Sequence, residues 1–465
     1  MDRCEQQGHS EDQEDVTELV CQEDQLKDGQ MKEVTVGGQK VLLVRTHGQY
    51  SAVGSQCTHY NAPLIKGALV GDRVRCPFHG ACFNVRTGDI EEYPGLDSLP
   101  SYKVKVDNGK VYISINTKSL SLTKRVKKMC SMVPDINHTI VLIGGGPASL
   151  VCAETLRQNC YQGRIIMITK DMLPPFDKPK LSKAMNLDSS SILLRSSEFY
   201  QQHGIEDNLF ILSLNDGNLQ HYDQLLISTG CRARPPSCPG CDLQGVKLLE
   251  SYILEEHNVK FHMNDGVSEI KGENGKVKEV VLNSGTVVAA DVVIAGIGVI
   301  HNSDFLSGSE VELDSKKAVI VDKFMRTNIA DIFSAGDVTS FPLAIRGDQR
   351  VNIGHWQMSQ AQGRVAALNM LNKPTKIESV PFFWTVLLGK SIRYTGYGEG
   401  YTEIIFKGKV EERKFLAFYI KNDVVVAAAS LMFDPAVAHL AELMATGRIL
   451  KKTEAQADDL SWLQM

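Results

Sequence analysis

HTIVLIGGGPASLVCAETLR, residues 138–157, is the stretch on which the fold turns. Ile140 to Ile143 are four apolar residues in a row, as in a strand buried on both faces of a parallel sheet. They run into Gly144-Gly145-Gly146 and then a helix whose apolar residues Leu150, Val151, Ala153 and Leu156 recur at helical spacing. A strand that turns tightly into a helix aims free backbone amides and the positive dipole end at whatever lies over the turn, which makes a phosphate site. Gly144 permits the turn, Gly146 lets a pyrophosphate approach the backbone, Pro147 and Ala148 open the helix, and Ser149 stands at the third fingerprint position. The expectation is a dinucleotide-binding domain, with a glycine-rich turn of some other doubly wound fold as the alternative.

A second segment, TNIADIFSAGDV at 327–338, is a short apolar strand ending in Ala-Gly-Asp. There Gly336 lets backbone and cofactor touch, and the Asp337 carboxylate accepts a hydroxyl hydrogen bond. Together the two segments resemble the FAD-binding halves of the pyridine-nucleotide-disulfide reductase superfamily. That resemblance implies FAD, with Asp337 on its ribityl chain. The strand YDQLLISTG, Tyr222 to Gly230, ends in Thr229-Gly230 and matches the motif that closes such a domain. LPPFDKPKLSK, Leu173 to Lys183, resembles the PYDRPxLSK loop of apoptosis-inducing-factor-like and ferredoxin-reductase-like flavoproteins. Its lysines, Lys178 and Lys183 among them, supply charge for a pyrophosphate, and the resemblance implies that Lys183 lies beside the flavin. The strand Arg164 to Thr169 ends near Asp171, a candidate ribose ligand.

Ahead of this domain, residues 16–115 read as short alternating strands, an all-β module. Within it Cys57-Thr58-His59 and Cys76-Pro77-Phe78-His79-Gly80 form two mixed Cys/His pairs. A zinc finger separates its cysteines from its histidines. Mixed pairs suit a 2Fe–2S centre with both cysteines on one iron and both histidines on the other, zinc remaining the alternative. Spacing and the flanking CPFHGACFNVRTG resemble the Rieske family. Against its respiratory-complex type, Ala62 and Phe78 replace a disulfide pair and Ala81 replaces a serine that bonds a cluster sulfur. Fewer such bonds predict a potential toward the low end of the roughly −150 to +300 mV Rieske range. Cys82 reads as a packed thiol.

Residues 116–136 read as a linker, with the Lys124–Lys128 basic run a solvated face. The FAD domain then occupies 137–245 and 301–375, interrupted at 246–300 by a nicotinamide domain that is too short. Residues 246–263 read as an amphipathic helix leading into a strand, with no second glycine fingerprint, and a βαβ unit needs about 30 residues. NAD(P)H as co-substrate is therefore put in question. His257 and His262 raise an iron triad with a carboxylate, but no domain supports it; Cys238 and Cys241 in a Pro-rich loop raise a dithiol without a thioredoxin pattern. The expected helix 351–371 carries His355 and Trp356 near its start, which the resemblance sets beside the isoalloxazine. Residues 376–455 resemble the family's C-terminal dimerisation-type domain, an α+β unit in which Trp384 covers the flavin edge and which implies a homodimer; 456–465 reads as a tail.

The 465 residues carry a net charge of −5, so no nucleic-acid partner is expected. Eleven cysteines without a secretory signal suggest a reducing compartment. The longest apolar run, Val287 to Ile300, is broken by Asp291, so no transmembrane segment is expected. The first 15 residues are acidic and read as a disordered tail without a recognisable transit peptide, which leaves a cytoplasmic or mitochondria-associated location. The fold class expected is multidomain: an all-β Rieske domain, an α/β FAD/NAD(P)-binding fold and an α+β C-terminal domain. This order resembles the Rieske-bearing members of the apoptosis-inducing-factor family. It implies electron flow from NAD(P)H through FAD to the cluster and an external one-electron acceptor, with no side chain as acid or base, and a pro-apoptotic role. A cofactor-bearing signalling protein and a reductase component serving an oxygenase are the alternatives.

Overall fold

The computed structural model describes residues 15–181, 183, 186–208, 220–235, 237–238, 246–248, 260, 262, 264–387 and 389–464. His257, Cys241 and residues 249–259, most of the segment expected to be helical, lie outside them.

The N-terminal module pairs six antiparallel strands in the order Asp15–Gln22, Lys110–Asn116, Ser101–Asp107, Gln49–Gly54, Gln39–Thr46, Gln30–Val36. Asp15, expected in the tail, pairs with Asn116 as the first rung of this sheet. Two-residue turns with positive φ at both positions, such as Asn108-Gly109, match the twist of the hairpins they close. A second sheet, Ala68–Val70, Arg73–Arg75, Cys82–Asn84 and Ile90–Glu92, carries the cluster loops at its base.

The expected parallel sheet is present. Thr139–Ile143 lies between Arg164–Ile168 and Gln224–Ile227, with Ile205–Asn208 and Ile332–Ser334 at the edges. The helix Pro147–Gln158 packs against the later helix Trp356–Met370 so closely that a Cβ on Gly363 would meet the Ala148 carbonyl oxygen at 2.2 Å. Val246–Leu248, read as the start of a helix, is instead a strand parallel to Val293–Ala295. The strand forms through backbone pairing with a partner 47 positions away, which local helical spacing does not register.

The C-terminal domain is a five-stranded antiparallel sheet backed by the helix Ala436–Ala445. Of residues 456–465, expected as a tail, the described ones belong to this domain: Trp462 and Leu463 are buried with Phe418, Val437 and Leu440. The apolar area of Trp462 makes leaving it in water costly. The linker is also anchored. Arg125 and Lys127 reach Asp89 at 2.5 and 3.2 Å, and Lys124 reaches Asp97 at 3.4 Å, so the basic run lies on acidic groups of the module rather than in free solvent.

The N-terminal module is docked on both other domains. Leu42, Val74 and Leu99 share one apolar core with Ile140, Leu150 and Met358. Buried Arg195 joins Asp97 of the module at 2.8 Å to Glu154 of the FAD-domain helix at 2.7 Å. On the other side, Arg75 Nε meets Glu442 of the C-terminal helix at 2.5 Å with both side chains essentially inaccessible, and Arg73 meets it at 3.0 Å.

Candidate redox site

The two cluster loops are built alike. Cys57 N–H donates to Ala62 O and Asn61 N–H to Cys57 O; Cys76 N–H donates to Ala81 O and Gly80 N–H to Cys76 O, all at 2.8–3.1 Å. Asn61 and Gly80 close the loops at φ 54° and 80°. Each closed loop turns two further backbone N–H groups toward its cysteine sulfur, those of His59 and Tyr60 in the first, Phe78 and His79 in the second. Such amides stabilise a thiolate ligand.

His59 and His79 approach each other Nδ1 to Nδ1 at 3.1 Å, near the span of about 3.4 Å that two nitrogens bound to one tetrahedral metal make. Burial, with Lys180 adding to it, pushes His59 down to about 4; burial, then His59 and Arg393, push His79 down to about 3. Both rings are therefore neutral at pH 7 with a lone pair to give. The thiols form the other pair: Cys57 donates to Cys76, which lowers Cys76 and raises Cys57. Among the described residues no three His, Cys, Asp or Glu groups converge on one point. A single zinc ion does not fit that arrangement, whereas a two-iron cluster with a thiolate end and an imidazole end does. Cys82 is fully buried beside Glu442, its thiol pushed up by burial, as a packed residue would be.

At the strand–helix turn, Gly144 has φ +127° and a Cβ there would lie 2.2 Å from the Ser228 carbonyl oxygen. Over Gly146 nothing lies within 4 Å of a Cβ position, so the backbone is open to a ligand there. Ser149 is buried and bonds Ser228 Oγ at 2.6 Å, so its side chain joins helix to strand rather than facing that space. Gly336 and Asp337 follow the neighbouring strand. Burial raises the Asp337 carboxyl, and Ser359 Oγ at 3.0 Å, Cys231 Sγ at 3.7 Å and the charge of Lys178 oppose this. Thr229 Oγ donates to Asn302 O at 2.7 Å beside Gly230. Lys178 pairs with Asp171 at 3.3 Å, and Lys183 Nζ donates to Thr385 Oγ at 3.2 Å. His355 stands at the position just before the helix that Trp356 begins, without a capping bond from its side chain. An open phosphate cradle, a half-buried carboxylate and lysines at the rim fit a dinucleotide such as FAD.

Trp384 lies between the histidine pair and His355. Its ring lies 5.2 Å from His79, 6.2 Å from His59 and 4.9 Å from His355, centroid to centroid. Tyr60 adds a hydrogen bond to Asp177 of the lysine loop at 3.0 Å. Sequence reasoning missed Tyr60, Cys231, Ser359 and Arg393. Tyr60 follows His59 directly, Cys231 follows the Thr-Gly motif directly and Ser359 lies one turn into the helix, so these three had a local signal; Arg393 did not.

Two electron-carrier sites in one chain define an iron–sulfur flavoprotein oxidoreductase. Residues 17–103 match the Rieske [2Fe-2S] domain, 138–252 and 246–363 the pyridine nucleotide-disulphide oxidoreductase family, and 382–463 the reductase C-terminal domain. The chain is 38% identical to Homo sapiens Apoptosis-inducing factor 3 over 97% of its own length and 89% of the relative's, and it belongs to that family. It is 26% identical to the Rubredoxin-NAD(+) reductase of Pseudomonas putida, covering 63% of this chain and 95% of that one. In fold it is similar to the ferredoxin reductase for the CYP199A2 system from Rhodopseudomonas palustris, with a TM-score of 0.64 and 21% identity over 71% of this chain and all of the other. The chain is thus an FAD-dependent oxidoreductase of the NAD(P)H class carrying a Rieske 2Fe–2S cluster. Among the described residues no helix is long and apolar enough to cross a membrane.

Proposed function

We propose that this protein passes electrons internally between FAD, seated over Gly144–Ala148, and a Rieske cluster, with Trp384 between them. The observation that carries this reading is the run of rings His79, Trp384, His355, each within 5.2 Å of the next. FAD supplies the exchange between two-electron hydride chemistry and single electrons. The chain's own groups do the rest. Backbone amides of the turn and Lys178 compensate phosphate charge, and Asp337, with Thr229-Gly230 and Gly336 beside it, accepts from the ribityl hydroxyls. His355, Trp356, Lys183 and Trp384 surround the ring system and keep water from it. Cys57 and Cys76 hold one iron, and neutral His59 and His79 hold the other. The working division is a cluster module at 15–116, an FAD domain at 137–245 and 301–375 around a nicotinamide part at 246–300, and a C-terminal domain from 376 onward.

Electrons enter from NAD(P)H and leave to an external one-electron acceptor. In the known covalent complex of putidaredoxin reductase with putidaredoxin, reductase and redox partner are joined by linkage; here the cluster module is already part of the chain. A part in apoptosis extends from the relative's name, and membership of that family is what suggests association with mitochondria. Anaerobic mixing with NADH tests the reading: flavin bleaching followed by the reduced-Rieske EPR signal supports it.

Two observations favour a second reading. The oxidoreductase match is split at 246–252, and the alignment to the human relative runs over 536 positions, more than the 465 residues of this chain. Both fit a shortened nicotinamide domain, in which case electrons arrive from a protein donor and NAD(P)H plays no part. Reduction of both centres by dithionite and of neither by NADH would select this second reading.

A further inference from the structure

The second cluster loop borrows its electrostatic surroundings from the C-terminal domain. Arg393, on the strand Lys390–Gly396, keeps only 4% of its side chain exposed beneath that loop. Its Nε donates to Pro77 O at 3.1 Å, between Cys76 and Phe78, and its guanidinium lies 6.0 Å from the centre of the Phe78 ring. Nη1 donates to Thr385 O and Ile392 O at 3.2 and 2.9 Å. These acceptors are neutral. The nearest carboxylate, Asp434, stays 3.8 Å from Nη2 and is partly exposed. Arg75, which donates to Gly80 O of the same loop, has its charge answered by Glu442 at 2.5 Å. Arg393 is therefore a buried cation left under-compensated beside the second cluster loop.

Two ferric ions, two sulfides, two thiolates and two neutral imidazoles sum to zero charge. One added electron leaves a net negative charge, which a nearby buried cation stabilises far more than it would in water. The geometry points to Arg393 as the residue through which the C-terminal domain raises the reduction potential of the Rieske cluster, against the lowering expected from Ala81. This rests on the cluster assignment above.

The test is an EPR-monitored redox titration of the full-length holoprotein, with dithionite and mediators, on the parent and on Arg393→Gln, Arg393→Lys and Asp434→Asn. Arg393→Gln should disfavour reduction by about tenfold, about 59 mV for one electron. Arg393→Lys, which keeps the charge, should stay near the parent. Asp434→Asn, which removes the opposing charge and leaves Arg393 in place, should rise. An unchanged midpoint in Arg393→Gln, or an equal fall in Arg393→Lys, overturns the proposal. Should Arg393→Gln not fold, Asp434→Asn decides alone: a rise supports the proposal and no change overturns it. A parent chain without a Rieske signal would refute the cluster assignment itself, and this proposal with it.

Discussion

Replacing Glu442 with Gln removes one charge from the joint between the cluster module and the C-terminal domain while keeping the side chain's size. Arg75, only 1% exposed, would be left with Gly80 O and a neutral amide as partners. Arg73 is less affected, because it is partly exposed and lies 3.5 Å from Glu91. Stranding one member of a buried ion pair costs about 3–5 kcal/mol. In a cooperative unit of roughly 200 residues each kcal/mol moves Tm by about 2–4 °C, so Glu442→Gln should melt about 6–20 °C lower. The assay is a thermal scan of the full holoprotein followed by far-UV and visible circular dichroism, the second reporting the cluster. The double variant Arg75→Met, Glu442→Leu should lose much less than Glu442→Gln alone, because a buried pair exchanged for apolar groups is often neutral. A Glu442→Gln melt within about 2 °C of the parent would refute the reasoning.

Three further outcomes are expected. Trp384→Leu should slow reduction of the cluster after flavin reduction by about tenfold or more in stopped-flow absorbance, with both visible spectra unchanged; an unaltered rate would remove Trp384 from the path. Gly146→Val, at a position where a Cβ meets nothing within 4 Å, should fold with normal far-UV circular dichroism yet purify with little FAD, read from its absorbance. Burial alone would raise the Glu442 carboxyl, but Arg75 and Arg73 hold it below its ordinary value of 4.5. Its stabilisation is then complete above pH 4.5 and lost as pH falls through the lower folded value. The gap in Tm between parent and Glu442→Gln should hold from pH 7 to 5 and close in more acidic buffer.

What was legible in the sequence was whatever is encoded by short spacing. The run Ile140–Ile143 with its glycines specified strand, turn and helix, and the two Cys/His pairs specified a two-iron site, because each lies within one loop or one βα turn. What was not legible depends on pairs far apart in the chain. Arg75 and Glu442 are 367 positions apart, and Arg393 and Pro77 are 316. No local periodicity signals such a contact. Val246–Leu248 misled for a related reason: its strand exists only because Val293–Ala295 lies alongside. Trp462 and Leu463 looked like a tail because the surface that buries them comes from Phe418 and the helix Ala436–Ala445.

The central claim is that two electron carriers sit close enough in one polypeptide to exchange charge directly. Photoreducing the flavin under anaerobic conditions and timing the growth of the Rieske signal over a tenfold dilution series tests it. A rate constant that is the same at every protein concentration is the predicted result; one that rises in proportion to concentration would mean that electrons pass between molecules, and would contradict the account.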